Sequence, residues 1–263
     1  MMNIDTYLQR FHYTGSRTPT LETLRDLHRA HLLAVPFENL SIHLGESIIL
    51  DETRLFDKVV NRRRGGFCYE LNGLFAWLLR ELGYNVTLLS AGVANGEGVF
   101  GPEFDHMTLM VTMDGTRWLA DVGFGDSFRE PLPLDAEVVS PDPSYRVAHD
   151  GDILFLQGYD GTDWRSQYRF TLQPRAFPDY EAMCHYHQTS PESHFTQRRV
   201  CSLATPDGRV TLSEGRLIIT RDGDREEQAL PDEAAYIGAL HSYFDITLPH
   251  PFKSVLEKGK FVC

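Results

Sequence analysis

Apolar residues recur at helical spacing through the first third of the chain and at strand spacing after it. Between residues 69 and 82, Leu71, Leu74, Phe75, Leu78, Leu79 and Leu82 fall at i, i+3, i+4, i+7, i+8 and i+11. That is the stripe of an amphipathic helix, and Gly83 supplies its stop. Residues 3–11 read as a short helix. Thr20 can cap another reaching residue 33, with Leu24, Leu27 and His31 on one face, and Asp51 can cap a third carrying Leu55, Phe56, Val59 and Val60. After Gly83 the period shortens. Residues 86–93, 107–113, 117–122, 153–156 and 168–172 are strand-like runs broken by Gly, Pro and Asp, and Asp114-Gly115 is a hairpin signal. A second hairpin pairs residues 209–212 with 216–220 around Glu214-Gly215, and residues 232–244 return to helical spacing. Helices, then strands, then a mixed end predict an α+β fold with segregated parts. The strands predict an antiparallel sheet or small barrel, and the divisions fall near residues 83 and 190.

Composition narrows the function classes. The chain has 263 residues, 42% hydrophobic and 11% aromatic, ample for a buried core. A net charge of −12 argues against nucleic acid as partner, since phosphate binding needs clustered positive charge. Of the basic residues, 21 are Arg and 4 are Lys, and Arg is the better partner for carboxylates and phosphates. No apolar run reaches the length of a membrane span, and residues 1–10 lack the apolar core of a signal peptide. A cytoplasmic protein with no membrane partner is expected. Four cysteines, Cys68, Cys184, Cys201 and Cys263, are too few for a disulfide scaffold, so each is read as a thiol.

One thiol has a distinctive setting. In Arg64-Gly65-Gly66-Phe67-Cys68-Tyr69-Glu70-Leu71-Asn72, two glycines allow a tight turn and place Cys68 at a helix start, where unpaired N–H groups favour a thiolate. The plain alternative is a buried structural cysteine. A thiolate nucleophile needs a base, and the base an orienting acid. His106 enters the strand that precedes the Asp114-Gly115 turn, and Asp121 ends the strand that follows it. If the two strands pair, His106 and Asp121 meet. Either residue taken alone has an ordinary structural reading, as a strand end or a turn start.

Other chemistries fit less well. Papain-like enzymes place His about 130–150 residues after Cys, far more than here. No CxxC or HExxH pair is present, so no metal site is expected. The piece Cys184-His185-Tyr186-His187 lacks a second ligand pair and reads as surface or strand histidines. Cys184 and Cys201 are assigned to buried, strand-like stretches, and Cys263 to a mobile end.

These residues resemble the arylamine N-acetyltransferases of the bacterial type. The matching pieces are Val35-Pro36-Phe37-Glu38-Asn39-Leu40, the stretch from Arg64 to Asn72, Asp105-His106-Met107, and Leu119-Ala120-Asp121-Val122-Gly123-Phe124-Gly125. A weaker match follows in Ser193-His194-Phe195-Thr196. The resemblance implies three parts: a helical bundle over residues 1–83, a central antiparallel β-barrel over 84–190 and an α/β lid over 191–263. It also implies a core like that of cysteine proteases and transglutaminases, with Cys68 as acetyl acceptor, His106 as base and Asp121 as its holder. Acetyl-CoA is the implied co-substrate, with no tightly bound cofactor. An arylamine or hydrazine is the implied acceptor, with the oxygen of N-hydroxyarylamines as a further one. Phe37 and Phe124 match acceptor-pocket positions. Gly101 and Pro102 lie in a loop resembling a phosphate cradle, and Phe195 matches a lid position facing substrate or CoA. Plain core packing is the competing reading for each Phe. Phe67 reads as support for the turn, Arg64 as a partner of Glu38 or another acid, and Glu38-Asn39 as part of a satisfied buried network. Alternatives are a macrolactam-forming amide synthase on the same fold, a transglutaminase- or protease-like thiol hydrolase, and a non-enzymatic binding protein. A monomer or homodimer is expected.

Overall fold

The computed structural model describes residues 2–252 apart from 137, 142 and 143, so the expectation for Cys263 lies outside the described residues. Helices α1 (Ile4–Arg10) and α2 (Leu21–Ala34) each start on a side-chain cap. Asn3 Oδ1 accepts the Thr6 amide at 3.1 Å, and Thr20 Oγ1 accepts the Thr23 amide at 3.2 Å. A two-residue strand, β1 (Phe37–Glu38), is followed by α3 (Leu40–Leu44) and α4 (Glu52–Phe56), which continues into a π-turn over Asp57–Asn61. These lead into α5 (Cys68–Glu81), the central helix. Every residue from Cys68 to Ala76 is buried, as expected for a helix enclosed on all sides. Gly83, at φ +92°, ends it where the sequence predicts.

The strands that follow are β2 (Asn85–Val93), β3 (His106–Met113), β4 (Thr116–Ala120), β5 (Leu132–Pro133), β6 (Ser140–Pro141), β7 (Ser144–Asp150), β8 (Ile153–Tyr159) and β9 (Trp164–Arg175). They form one antiparallel sheet in the order β5-β4-β3-β2-β9-β8-β7-β6. The sheet curls until β5 touches β7, giving a nearly closed barrel. Leu89, Leu119, Phe128, Leu156, Tyr168 and Phe170 fill its interior. The other face of β2 and β3 (Leu88, Met107, Leu109 and Val111) packs on α5 in the helical core. Those two strands are therefore buried on both sides, which explains their nearly unbroken apolar runs.

After the barrel, a 3-10 turn over Phe177–Tyr180 and helices α6 (Glu181–Thr189) and α7 (His194–Gln197) return to the helical side. Here the structure corrects the sequence. Cys184 is helical, and His187, on the same helix, is buried while His185 is exposed. The helix is seeded by the preceding turn, in which Asp179 accepts the Ala176 amide at 2.8 Å, and Tyr180 and Cys184 anchor it in the core around α5. Tertiary packing thus overrides a β-like residue pattern.

Strands β10 (Val200–Thr205), β11 (Gly208–Ser213), β12 (Arg216–Arg221) and β13 (Asp224–Ala229) follow, with α8 (Glu233–Phe244) packed on them. Cys201 lies in β10 and is buried, as expected. The sheet order is β1-β10-β11-β12-β13, so its first strand comes from the N-terminal region, with Phe37 opposite Ser202 and Glu38 opposite Cys201. Glu38 is fully buried at this seam. It accepts Arg64 Nε at 3.0 Å and the Leu40 amide at 2.6 Å, with Arg64 Nη2 at 2.8 Å and Lys58 Nζ at 3.7 Å in ion-pair contact. Burial raises the Glu38 carboxyl, but Arg64 and Lys58 outweigh it and hold the group below its ordinary range. Asn39 completes the seam by donating to the carbonyls of Phe195 and Arg198 and accepting the Val200 amide. Glu38 and Asn39 are both hydrogen-bonded, as the sequence reading expects, and Arg64 pairs with Glu38 through Nε while its Nη1 has no hydrogen-bond partner.

Glu38→Gln removes the charge that balances a buried guanidinium. It should lower the urea-unfolding free energy by about 3–5 kcal/mol. A loss below about 1 kcal/mol, the value of an exposed pair, would show that the seam does not depend on this ion pair.

Candidate active site

The Arg64–Cys68 segment turns on close approach. Arg63, at φ 53°, takes the left-handed conformation. A Cβ at Gly65 would collide with the Pro36 carbonyl, and one at Gly66 would lie 2.7 Å from the Glu70 side chain. The glycines thus let the chain run against β1, where the Glu38 amide donates to Gly66 O at 2.9 Å. Phe67 precedes α5, fully buried, and its amide is taken by Glu70 Oε2 at 3.1 Å. The N–H groups of Cys68 and Tyr69, in the first turn, have no intrahelical carbonyl to bond.

Pairing of β3 with β4 brings His106 and Asp121 together as the hairpin predicted, with Nε2 2.7 Å from Oδ2. Asp121 is fully buried and accepts four hydrogen bonds. Asn72 Nδ2 (2.8 Å) and the Gly123 amide (3.0 Å) reach Oδ1; His106 and the Tyr168 hydroxyl (2.9 Å) reach Oδ2. Burial raises this carboxyl, yet His106 and the hydrogen bonds from His106, Asn72 and Gly123 hold it below its ordinary range. The carboxylate therefore accepts from Nε2–H, which leaves Nδ1 as the ring nitrogen able to take a proton.

The Cys68 thiol is buried and takes a backbone hydrogen bond from Met107, the residue after His106. The turn after Asp121 closes on the same point, since a Cβ on Gly123 would lie 2.8 Å from Cys68 Cα. The helix start favours a thiolate, but burial pushes the thiol well up, and the charges of Asp121 and Asp105 add to that. A lone buried anion is costly, so release of the Cys68 proton to solvent is disfavoured.

Three supporting residues were not identified from sequence. Asn72 stands one turn after Cys68 on the same helix face, a polar residue in an apolar stripe, and that spacing was the available signal. Its Oδ1 accepts the Val122 amide at 2.9 Å, and its Nδ2 also donates to Met107 O at 2.6 Å. Tyr168 arrives through barrel closure on β9, for which the sequence carries no local signal. His28, from α2, is fully buried and lies flat on Phe128. Its Nδ1 donates to Arg129 O at 3.0 Å, and its Nε2 accepts the Asp121 amide at 3.1 Å. Burial lowers this imidazole to about 4.

The other predicted residues border the same region. Phe124 is edge-on to the His106 ring at 5.2 Å, and Phe37 meets Phe195 at 6.2 Å. Phe195 is also edge-on to Phe67 at 5.6 Å, and all three are only partly buried. Gly101 and Pro102 lie over the end of β2, and Gly101 packs against the Asp105 carboxylate. The amides of Gly98, Val99 and Gly101 are engaged within the loop or by β2, the first two by Asn95 and the third by Val93 O. Among the described residues, no group of three or more His, Cys, Asp or Glu is placed to hold a metal ion. No helix of the described residues is long and apolar enough to cross a membrane.

A thiol at a helix start, beside an imidazole oriented by a carboxylate, is the equipment of an acyl-transferring or acyl-hydrolysing thiol enzyme. A family model described as N-acetyltransferase matches residues 20–253. The human arylamine N-acetyltransferase 1 is 36% identical over 275 residues, covering 94% of this chain and 95% of its own length. The solved arylamine N-acetyltransferase of Salmonella typhimurium superposes with a TM-score of 0.88 at 34% identity, covering 96% of each chain. The Mycobacterium marinum arylamine N-acetyltransferase, solved in complex with CoA, gives 0.86 at 35% identity, over 98% of this chain and 95% of that one. The chain belongs to the arylamine N-acetyltransferases, a family of acyltransferases.

In the unfolded chain His28 protonates near pH 6.5; in the fold it stays neutral down to about pH 4. Between those values the unfolded chain binds more protons, so stability falls as pH falls, by up to about 3 kcal/mol. His31, fully buried and also depressed by burial, acts in the same direction. Urea midpoints measured from pH 7 to 4.5 should therefore decline, and less steeply in His28→Asn. Equal slopes would show that His28 is not held neutral in the fold.

Proposed function

We propose that the protein acetylates the nitrogen of arylamines or hydrazines with acetyl-CoA by a ping-pong route through acetyl-Cys68. The observation that carries this reading is the His106–Asp121 pair at 2.7 Å, set on the peptide that meets the Cys68 thiol. In the first half-reaction the Cys68 proton passes to His106 Nδ1 and the sulfur attacks the thioester carbonyl. The first-turn N–H groups of α5 stabilise the oxyanion. The C–S bond to CoA breaks, and CoA leaves with the proton from His106. In the second half-reaction the amine attacks the acetyl carbonyl of Cys68. His106 takes the amine proton and returns it to the departing Cys68 sulfur. Asp121 holds the imidazole in the tautomer that both steps require.

Phe37 and Phe124 offer an aromatic border suited to a flat acceptor. Gly101 and Pro102, with Phe195, form the acyl-CoA side. Cys68, Cys184 and Cys201 are all free thiols, which suits a reducing compartment, the cytoplasm.

Incubation with acetyl-CoA alone should add one acetyl group to the intact mass, mapped to the Cys68 peptide, and an arylamine should then remove it. Cys68→Ser should abolish both steps, and Asp121→Asn should lower kcat by about four orders of magnitude with the fold retained. Substantial transfer by Cys68→Ser, or no CoA release with any arylamine or hydrazine, would refute the scheme.

A further inference from the structure

Another buried histidine borders the site, and the scheme above leaves it idle. His187, on α6, meets a side chain at each ring nitrogen, through a hydrogen bond at Nδ1 and an ion-pair contact without hydrogen-bond geometry at Nε2. Nε2 is 3.2 Å from Asp105 Oδ1 and Nδ1 is 3.1 Å from Ser193 Oγ. Ser193 is itself buried, and its Oγ accepts the Phe195 amide at 3.3 Å. The directions are consistent through Ser193. Phe195 N–H donates to Ser193 and the Ser193 hydroxyl is free to donate to Nδ1, while Nε2 stands in ion-pair contact with the Asp105 carboxylate. The ring lies against Tyr69 at 6.2 Å and edge-on to Phe195 at 5.2 Å.

Asp105 is the other end of this chain, and it is a junction. Its Oδ2 accepts the Val93 amide at 3.1 Å, its carboxylate fills the space that a Gly101 side chain would need, and its backbone carbonyl accepts the Tyr69 hydroxyl at 3.2 Å. The next residue is His106. Meanwhile α6 is fastened to the helical side by Gln188, which exchanges hydrogen bonds of 2.7 and 3.0 Å with the Ile48 backbone. His187 is therefore mounted on a fixed helix and reaches two separate segments, the loop of Gly101 and Pro102 and the turn of Phe195.

We propose that His187 is a positioning residue for the acyl donor: through Asp105 and Ser193 it holds the Gly101-Pro102 loop and Phe195 in register with Cys68. The proposal rests on the acetyl-CoA reading above and adds the device that shapes its donor side. It touches neither Phe37 nor Phe124 directly, nor the Asp121 cradle, so it predicts a selective defect.

The test compares two acetyl donors. Acetyl-CoA uses the donor side; p-nitrophenyl acetate delivers the same acetyl group to Cys68 without a CoA moiety. His187→Phe keeps a ring in place and removes the hydrogen bond to Ser193 and the contact with Asp105. It should raise KM and lower kcat/KM for acetyl-CoA about tenfold, the weight of a buried hydrogen bond lost together with a polar contact. Acetylation by p-nitrophenyl acetate, and onward transfer to an arylamine, should stay within about threefold. His187→Gln, whose amide can still donate to Asp105, should recover most of the loss. If His187→Phe does not fold, Ser193→Ala, which removes the hydrogen bond to Nδ1 and leaves the charges around Cys68 in place, should show the same split between donors. A parallel fall with both donors, or no change with acetyl-CoA, overturns the proposal. Absence of CoA turnover in the unmodified protein would instead refute the acetyl-CoA reading itself.

Discussion

The interior of this protein is organised around one buried negative charge. Asp121 has no access to water and is held ionised by four donors drawn from three elements and its own turn: Asn72 from α5, His106 from β3, Tyr168 from β9 and the Gly123 amide. A carboxylate in such surroundings is tolerated only when its acceptor sites are filled. Filling them requires the central helix to dock on the barrel at one depth and the barrel to close far enough to bring in β9. The polar cluster therefore specifies the geometry of helix against barrel, a task that apolar packing between α5 and strands β2 and β3 does less selectively.

A second buried charge does related work at the other boundary. Glu38, Arg64, Lys58 and Glu70 form a closed set beneath the turn that presents Cys68, with Lys58 2.7 Å from Glu70. Burial raises the Glu70 carboxyl, and Lys58 opposes that shift. One end of the set grips β1 and the other grips the N-terminus of α5. The thiol is thus held between two polar networks, one setting its helix start and the other setting the imidazole beside it.

What could be read from the chain divides by range. Helix periods, their caps and the two hairpins are local, and they stood out in the sequence; so did Cys68, because glycines, an aromatic and a helix start are contiguous. His106 and Asp121 were legible because a short turn separates their strands. Tyr168 and His28 were not, since each reaches Asp121 only through tertiary closure that no neighbouring residue announces. Cys184 and His187 misled because aromatic and His residues pattern like a strand until the Asp179 turn and the core around α5 impose a helix. The Asp105 that faces His187 is distant in the sequence, and a pairing of that range has no local signature.

The seam at β1 links the beginning of the chain to its end. Phe37 and Glu38 complete a sheet whose remaining strands begin at Val200, and Asn39 bonds across a separation of 161 residues. A ribosome delivers α5, with Cys68 at its head, while the strands that cover it are still unmade. Tyr168 and then β10 emerge only later. The thiol is therefore made before its neighbours: Met107 and Gly123 close on it with β3 and the turn after β4, and the seam at residues 37–39 forms last. A chain stopped before β3 carries the sulfur without the imidazole and the carboxylate, whereas one stopped before β10 has both but leaves β1 without its partner strand.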